Sequence, residues 1–297
     1  MPMESIIEQS SVASRQLSVD SNETLTDSGF YWRERDTVKV LVCRALEDAG
    51  FANGFSTRLG GVSSLDGSPS GTELNLAGFN EDSRENIYEN RRRFLKALPR
   101  EHRLATAWQV HGGNIRIVHS YDDLGDSDER ADALISNLEN ILLGVKTADC
   151  VPILIGNRKT GVFAAVHAGW RGTVQSIVQK ALERLRDVYD TQPADLMCAI
   201  GPAAGCDRYE VGEEVIQAFS QNFSDSKEYF QETRPGHAFV DLKAANRDQL
   251  IDSGVDAANI HISPLCTIER PDLFFSYRLE KPKFGRTGRL MSVIGKL

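Results

Sequence analysis

Three segments of the chain carry side chains suited to metal or nucleophilic chemistry, each where an apolar run meets a turn. In VFAAVHAGWRGT (162–173) the run ends in His167, followed by small residues and glycines and then a helix-like pattern. A strand that ends this way puts an imidazole at a sheet edge beside free backbone N–H groups, a common place for active sites. The structural alternative is a histidine satisfied at a strand end. In KTADCVP (146–152) Cys150 stands between polar neighbours and an apolar run, with Asp149 adjacent and Lys146 close by. Such surroundings hold a thiol for reaction or metal binding; the alternative is a buried structural cysteine. In WQVHGGN (108–114) His111 precedes two glycines that let backbone approach a ligand closely.

Two histidines and one cysteine on separate strand ends form the ligand set of a catalytic Zn²⁺ site, which keeps its fourth position open for water or substrate. A structural zinc site would more often use four ligands, mostly cysteine, at close spacing. Cys43 and Cys198 lie in apolar runs and read instead as buried small hydrophobes. His102, His119, His237 and His261 have no companion ligands and read as surface or structural. Arg58 lies in the glycine-rich stretch NGFSTRLGGVS (53–63), where a guanidinium and backbone N–H groups would cradle phosphate or another anion. The alternative there is a solvated loop arginine.

These residues need a scaffold, and the composition supplies one. The 297 residues are 41% hydrophobic and 26% charged, an ordinary globular balance able to bury a core. A formal net charge of -8 repels a phosphate backbone on average, so nucleic acid is excluded as a first reading. The most apolar region, 141–155, is interrupted by Lys146 and Asp149, short of the roughly 18 apolar residues of a membrane span. There is no basic segment followed by an apolar one at the N-terminus, and five cysteines without a CxxC pair do not form a disulfide framework. A reducing, cytoplasmic setting is expected. Neither GxxxxGK[ST] nor GxGxxG occurs in the required context, which removes most of the case for an ATPase or NAD enzyme.

Residues 1–28 are rich in Ser, Glu and Asp and are expected to be a disordered tail, leaving 29–297 as a single domain. Helices are predicted after Thr173 as N-cap, with an apolar stripe through Val174, Ile177, Val178, Ala181, Leu182 and Leu185; from about Ser83 to a stop at Pro99; and over 242–251 with Gly254 as terminator. Strands are predicted at 140–145, 151–155, 161–166 and 196–200. Strands interleaved with covering helices predict a layered mixture of helix and sheet.

The segments FSTRLGGVS, WQVHGG, KTADCVPILI, AVHAGWRGT, IGPAAG, YEVG, DLKAANRDQL, and FFSYR with TGR occur in one order over residues 50–297. As a set they resemble the YfiH family, also called the laccase-domain or polyphenol-oxidase family. The resemblance implies an α+β fold, layered α/β/β/α with mixed sheets in a single domain. It also implies a His-Cys-His metal site and phosphorolysis of adenosine, inosine, guanosine and methylthioadenosine, with adenosine deamination. By motif it carries the ligand and catalytic roles onto His111, Cys150 and His167, with Zn²⁺ or Cu²⁺ as the metal. Arg58 and Asn75 would line the substrate or phosphate side, and Arg171 of AVHAGWRGT is grouped with them as substrate-binding. The chain departs from the family pattern by inserting 279–284 between Tyr277-Arg278 and Gly285, which puts the shape of the substrate mouth in question.

The implied partners are a purine nucleoside and phosphate, without nucleic acid or membrane. Asp149 would orient a ligand or move a proton, or else be a strand-edge carboxylate. Three rivals remain. One is a metal-free Cys/His amidohydrolase with Cys150 as nucleophile, acting on peptidoglycan precursors. Another is a copper-dependent polyphenol oxidase, disfavoured because six histidines with no HxH pair cannot build a trinuclear copper cluster. The last is a non-catalytic scaffold that keeps a metal for stability.

Overall fold

The structure, a computed structural model, describes residues 22–65 and 71–297. The expected tail lies for the most part outside these residues, but its end does not: Asn22–Asp27 is a helix, α1, and Leu25 is buried in the core. An apolar anchor inside an otherwise polar segment supplies the contact that composition alone would deny it.

The remaining helices are α2 (Arg44–Asp48), α3 (Arg84–Lys96), α4 (Trp170–Val174), α5 (Ile177–Tyr189), α6 (Glu213–Asn222), α7 (Leu242–Asp252) and α8 (Tyr277–Phe284). The first half of the chain contributes strands β1 (Phe30–Arg35), β2 (Val38–Cys43), β3 (Phe51–Ser56), β4 (Leu59–Ser63), β5 (Arg103–Ala105), β6 (Ile115–Ile117), β7 (Ala133–Ser136) and β8 (Ile141–Thr147). The second half adds β9 (Val151–Asn157), β10 (Phe163–Ala168), β11 (Leu196–Ile200), β12 (Glu210–Gly212), β13 (Phe230–Arg234), β14 (His237–Val240), β15 (Ile260–Ile262) and β16 (Leu290–Lys296).

Two six-stranded sheets result, ordered β1-β2-β3-β16-β8-β5 and β15-β11-β9-β10-β7-β6, with β12-β14-β13 as a small third. Both large sheets are mixed, because β5 runs parallel to β8, β6 to β7 and β15 to β11 while the other pairs are antiparallel.

Side-chain alternation along the strands explains the layering. In β2, Val40 and Val42 pack outward against Phe94 and Leu98 of the α3 region, whereas Leu41 and Cys43 point into the space between the sheets. In β9, Ile153 and Ile155 meet the outer helices α5 and α7, whereas Leu154 faces the first sheet. These central strands are therefore apolar on both faces, and helix–sheet–sheet–helix is the arrangement that buries both. The α+β, α/β/β/α expectation is what the fold shows, in one domain.

Several boundaries differ from those predicted: β8 and β9 run two residues further, to Thr147 and Asn157, and β10 spans Phe163–Ala168 in place of 161–166, so that His167 lies within the strand. Asn140 adopts φ 56°, so β8 begins one residue later. The stripe read as one helix is split: α4 ends at Val174, and Ser176 takes a left-handed conformation (φ 56°) before α5 begins at Ile177. Thr173 is accordingly no N-cap for that stripe. It is buried within α4, donating to the Gly169 carbonyl (3.0 Å) and accepting from Asn246 Nδ2 of α7 (2.9 Å). The inserted residues 279–284 lie in α8, capped by Ser276 and ended by Gly285 at φ 72°. Ser83 does cap α3, accepting from the Asn86 N–H, and α7 spans the predicted range with one further residue.

Candidate metal centre

The centre forms where β10 ends and β9 and β7 begin. β10 and β9 pair so that His167 lies opposite Pro152 and Ala168 opposite Val151, bringing Cys150, the residue before β9, beside His167. His111 arrives on the loop between β5 and β6. Its ring centroid lies 4.9 Å from that of His167, the rings nearly perpendicular at 77°. One ligand-type atom from each of His111, Cys150 and His167 lies within 4.8 Å of the others, and this is the only such group of three among the described residues. Two donors on one tetrahedral cation sit about 3.5 Å apart for bonds of about 2.0–2.3 Å. The trio is thus close to a metal-holding arrangement and needs only a small closure.

Asp132, the residue before β7, holds two of the three in place. It is fully buried, and its Oδ1 takes the Nδ1–H of His167 at 2.8 Å. The same carboxylate accepts the backbone N–H groups of Val110 (3.1 Å), His111 (2.9 Å) and Gly112 (2.7 Å). Burial alone would raise the Asp132 carboxyl. The hydrogen bonds from His167, Gly112 and Val110, with the imidazole charge, outweigh it and hold the group below the usual carboxylate range. An ionised Asp132 requires the proton on Nδ1, which leaves Nε2 of His167 as the atom that could bind a metal. Gln109 secures the same loop to β8, exchanging hydrogen bonds of 2.7 Å with both the N–H and the carbonyl of Lys146.

The two turns that carry His111 and precede Cys150 are conformationally costly. His111 has φ 59° and Asp149 φ 86°, left-handed values that non-glycine residues adopt at a cost of about 1–3 kcal/mol each. Both are over-determined by hydrogen bonds. Gly169 is needed for closeness, because a Cβ there would lie 3.0 Å from His111 Cδ2 and 3.1 Å from Cys150 Sγ.

Burial opposes ionisation of Cys150, but the neighbouring His167 charge and hydrogen bonds from His111 and His167 bring its thiol down to about 6. Burial likewise opposes the charged form of His167, and the Cys150 thiolate and Asp132 raise it to about 9. Without a cation the pair is thiolate and imidazolium. A bound metal would take the place of that proton. His167 is buried, Cys150 half-buried and His111 exposed, so the centre opens to solvent on the His111 side.

The other expected site residues are engaged elsewhere. The Arg58 guanidinium pairs with Glu73 and Glu280, donates to the Pro271 carbonyl (2.8 Å) and lies 4.6 Å from the Phe275 ring centroid. An anion arriving there meets two carboxylates for one guanidinium. With α8 it lines a cavity of about 600 Å³ whose walls include Leu59, Leu279 and Phe284. Asn75 is fully buried, its Oδ1 accepting the Arg289 N–H (2.8 Å) and its Nδ2 donating to Asp82 (3.1 Å). Arg171, just after Gly169, is exposed, stacks 4.1 Å over Trp170 and pairs with Glu214 at 3.3 Å.

Asp149 accepts from Thr267 Oγ1 (2.7 Å), Ser276 Oγ (3.0 Å) and the Arg278 N–H (2.7 Å), tying the start of α8 to the Cys150 turn. Cys43 and Cys198 are fully buried as read, and burial raises both thiols. Asp132 was missed from sequence. The available signal was an acid set between Ala131 and the apolar run Ala133-Leu134-Ile135.

The profile of a family described as multi-copper polyphenol oxidoreductase laccase matches residues 52–296. The chain belongs to that family. Among its relatives, purine nucleoside phosphorylase YlmD of Geobacillus stearothermophilus is 34% identical over 265 residues, covering 86% of this chain and 94% of that protein. Adenosine deaminase RL5, from an unknown prokaryotic organism, is 37% identical over 186 residues, covering 60% of this chain and 71% of its own length. The crystal structure of YlmD superposes with a TM-score of 0.80 over 90% of this chain and 98% of that one. The crystal structure of Bacillus licheniformis YfiH gives 0.80 at 28% identity, covering 90% of this chain and 99% of that one. In this laccase-type family the word copper belongs to the description. The described residues offer one three-donor group and no second cluster for a trinuclear site.

Proposed function

We propose that this chain is a metal-dependent purine nucleoside enzyme, with His111, Cys150 and His167 holding Zn²⁺. The carrying observation is the convergence of three donors within 4.8 Å, one of them fixed in tautomer by a buried carboxylate. Two nitrogens and one thiolate form a borderline-soft set that suits zinc and also copper. Support for the substrate class comes from relatives named purine nucleoside phosphorylase and adenosine deaminase.

The cation, when bound, would supply Lewis acidity toward an oxygen nucleophile. The chain's part is to keep Cys150 deprotonated, to present Nε2 of His167 and to leave the His111 side open. In phosphorolysis a phosphate oxygen bonds to the anomeric carbon as the glycosidic bond breaks. The electron pair of that bond goes to the base nitrogen, which takes up the proton given up by the hydrogen phosphate, and no centre changes oxidation state. In deamination a water oxygen bonds to the ring carbon, and ammonia leaves with the proton that water gives up. In this reading Asn75 and Arg58 brace the wall around α8 rather than grip phosphate.

Incubation with adenosine, with and without phosphate, followed by chromatography tests the proposal. Adenine with ribose phosphate, or inosine, is the expected product; neither appearing from metal-loaded protein refutes it. The depressed Cys150 thiol favours one second reading, a metal-free Cys/His amidohydrolase acting on peptidoglycan precursors. Activity that survives a chelator and is abolished by a thiol alkylator would select it.

A further inference from the structure

Phosphorolysis needs a cation for the incoming phosphate, and the arginine singled out for it in the sequence, Arg58, is already matched by Glu73 and Glu280. Arg278 is placed differently. Its backbone N–H donates to Asp149 Oδ2 at 2.7 Å, which fixes it beside the residue preceding Cys150. Its Nη1 donates to the Glu210 carbonyl at 2.6 Å, and its guanidinium carbon lies 4.7 Å from the Tyr209 ring centroid. Among the described residues it makes no ion pair.

Burial raises the Asp149 carboxyl, and hydrogen bonds from the Arg278 backbone, Thr267 and Ser276, which occupy its oxygens, together with the Arg278 charge only partly oppose it. Tyr209 offers its ring face to Arg278, and burial first, then the negative charge of Cys150, raise its phenol. The phenol therefore remains a proton donor at neutral pH. A guanidinium keeps several N–H donors beyond the one spent on Glu210, and their planar fork matches two oxygens of a phosphate.

We propose that Arg278 and Tyr209 form the oxyanion subsite of this centre, holding inorganic phosphate beside Cys150 for attack on the nucleoside. The assignment rests on the phosphorolytic reading above. It makes the 209–212 segment and the start of α8 the phosphate side of the site, and leaves the exposed His111 side for the nucleoside.

The test compares full-length, metal-loaded wild type with Arg278→Gln, Arg278→Lys and Arg171→Gln, measuring nucleoside cleavage against inorganic phosphate concentration. Loss of a charged hydrogen bond predicts a rise of roughly tenfold or more in the KM for phosphate in Arg278→Gln. The nucleoside KM should stay within about twofold, and the lysine variant should recover part of the loss. A phosphate KM unchanged in Arg278→Gln, both KM values rising together, or a larger rise in Arg171→Gln overturns the assignment.

Should Arg278→Gln not fold, Tyr209→Phe keeps the ring and removes the phenolic donor. It is expected to raise the phosphate KM severalfold, and no rise overturns the proposal. If wild type shows no phosphate-dependent cleavage, the functional reading fails, and calorimetry with inorganic phosphate decides the subsite separately. Binding heat in wild type that Arg278→Gln or Tyr209→Phe abolishes supports it; no heat in wild type overturns it.

Discussion

Replacing Asp132 by Asn tests whether one buried carboxylate assembles the centre. The two side chains have nearly the same shape, so the change is confined to charge and hydrogen bonding. Oδ1 accepts from His167 Nδ1 and the His111 N–H, and Oδ2 from the N–H groups of Val110 and Gly112. An amide has one accepting oxygen, so one of these two pairs must face an NH₂ group. If the loop pair does, two backbone donors lose their partner, at about 1–3 kcal/mol each. If the His167 pair does, the imidazole proton is driven to Nε2, the atom required as ligand.

Either outcome weakens the metal site. Destabilisation of about 2–5 kcal/mol in the metal-free protein is expected, together with a loss of about ten- to a hundredfold in Zn²⁺ affinity. Urea unfolding of the metal-free protein reads the first, and competition with a chromophoric chelator reads the second. Zn²⁺ affinity within twofold of wild type and an unchanged urea midpoint would show that Asp132 does not organise the centre.

Other perturbations probe separate links. Gly169→Ala brings a methyl group against His111 and Cys150; Zn²⁺ affinity should fall by about tenfold or more, as for other disturbed ligand geometries, with native circular dichroism retained. Alkylation of metal-free protein by iodoacetamide should modify Cys150 well ahead of the other cysteines. Its rate should rise through a midpoint near pH 6; a midpoint above 8 contradicts the described charge environment. Asp126 is held below its usual range: burial would raise it, but Arg91, contacting both carboxylate oxygens at 2.8 Å, and Thr106 outweigh that. A depressed carboxyl stabilises the fold above its unfolded value, near pH 4, and that contribution is lost as pH falls through the folded value. Asp126→Asn should therefore lower stability at pH 6 and cost little near pH 2, as read by urea unfolding at both. Leu154→Ala, at a fully buried position between the sheets, should cost about 2–5 kcal/mol in the same assay.

What the sequence determined by itself is the set of candidate metal-binding side chains, which the fold brings together, and most of the frame that carries them. Cys150 stood apart from Cys43 and Cys198 because its neighbours are polar, and that difference is local and therefore readable. β11 and the body of α3, α5 and α7 were legible for the same reason, since apolar period and capping are short-range properties. The tertiary structure alone decided which partner each charge has. Arg58 and the carboxylates that match it are separated along the chain by 15 and 222 positions, so its commitment to the wall of α8 leaves no mark on the surrounding residues. Asp132 acquires its role from donors 20 to 35 positions away, and Thr173 became a tie to α7 instead of a cap because its partner lies 73 positions on. Residue type and periodicity are written along the chain, whereas the partner of a buried polar group is set by which strands end at the same edge of a sheet, and that edge exists only once the two sheets have closed on their shared core.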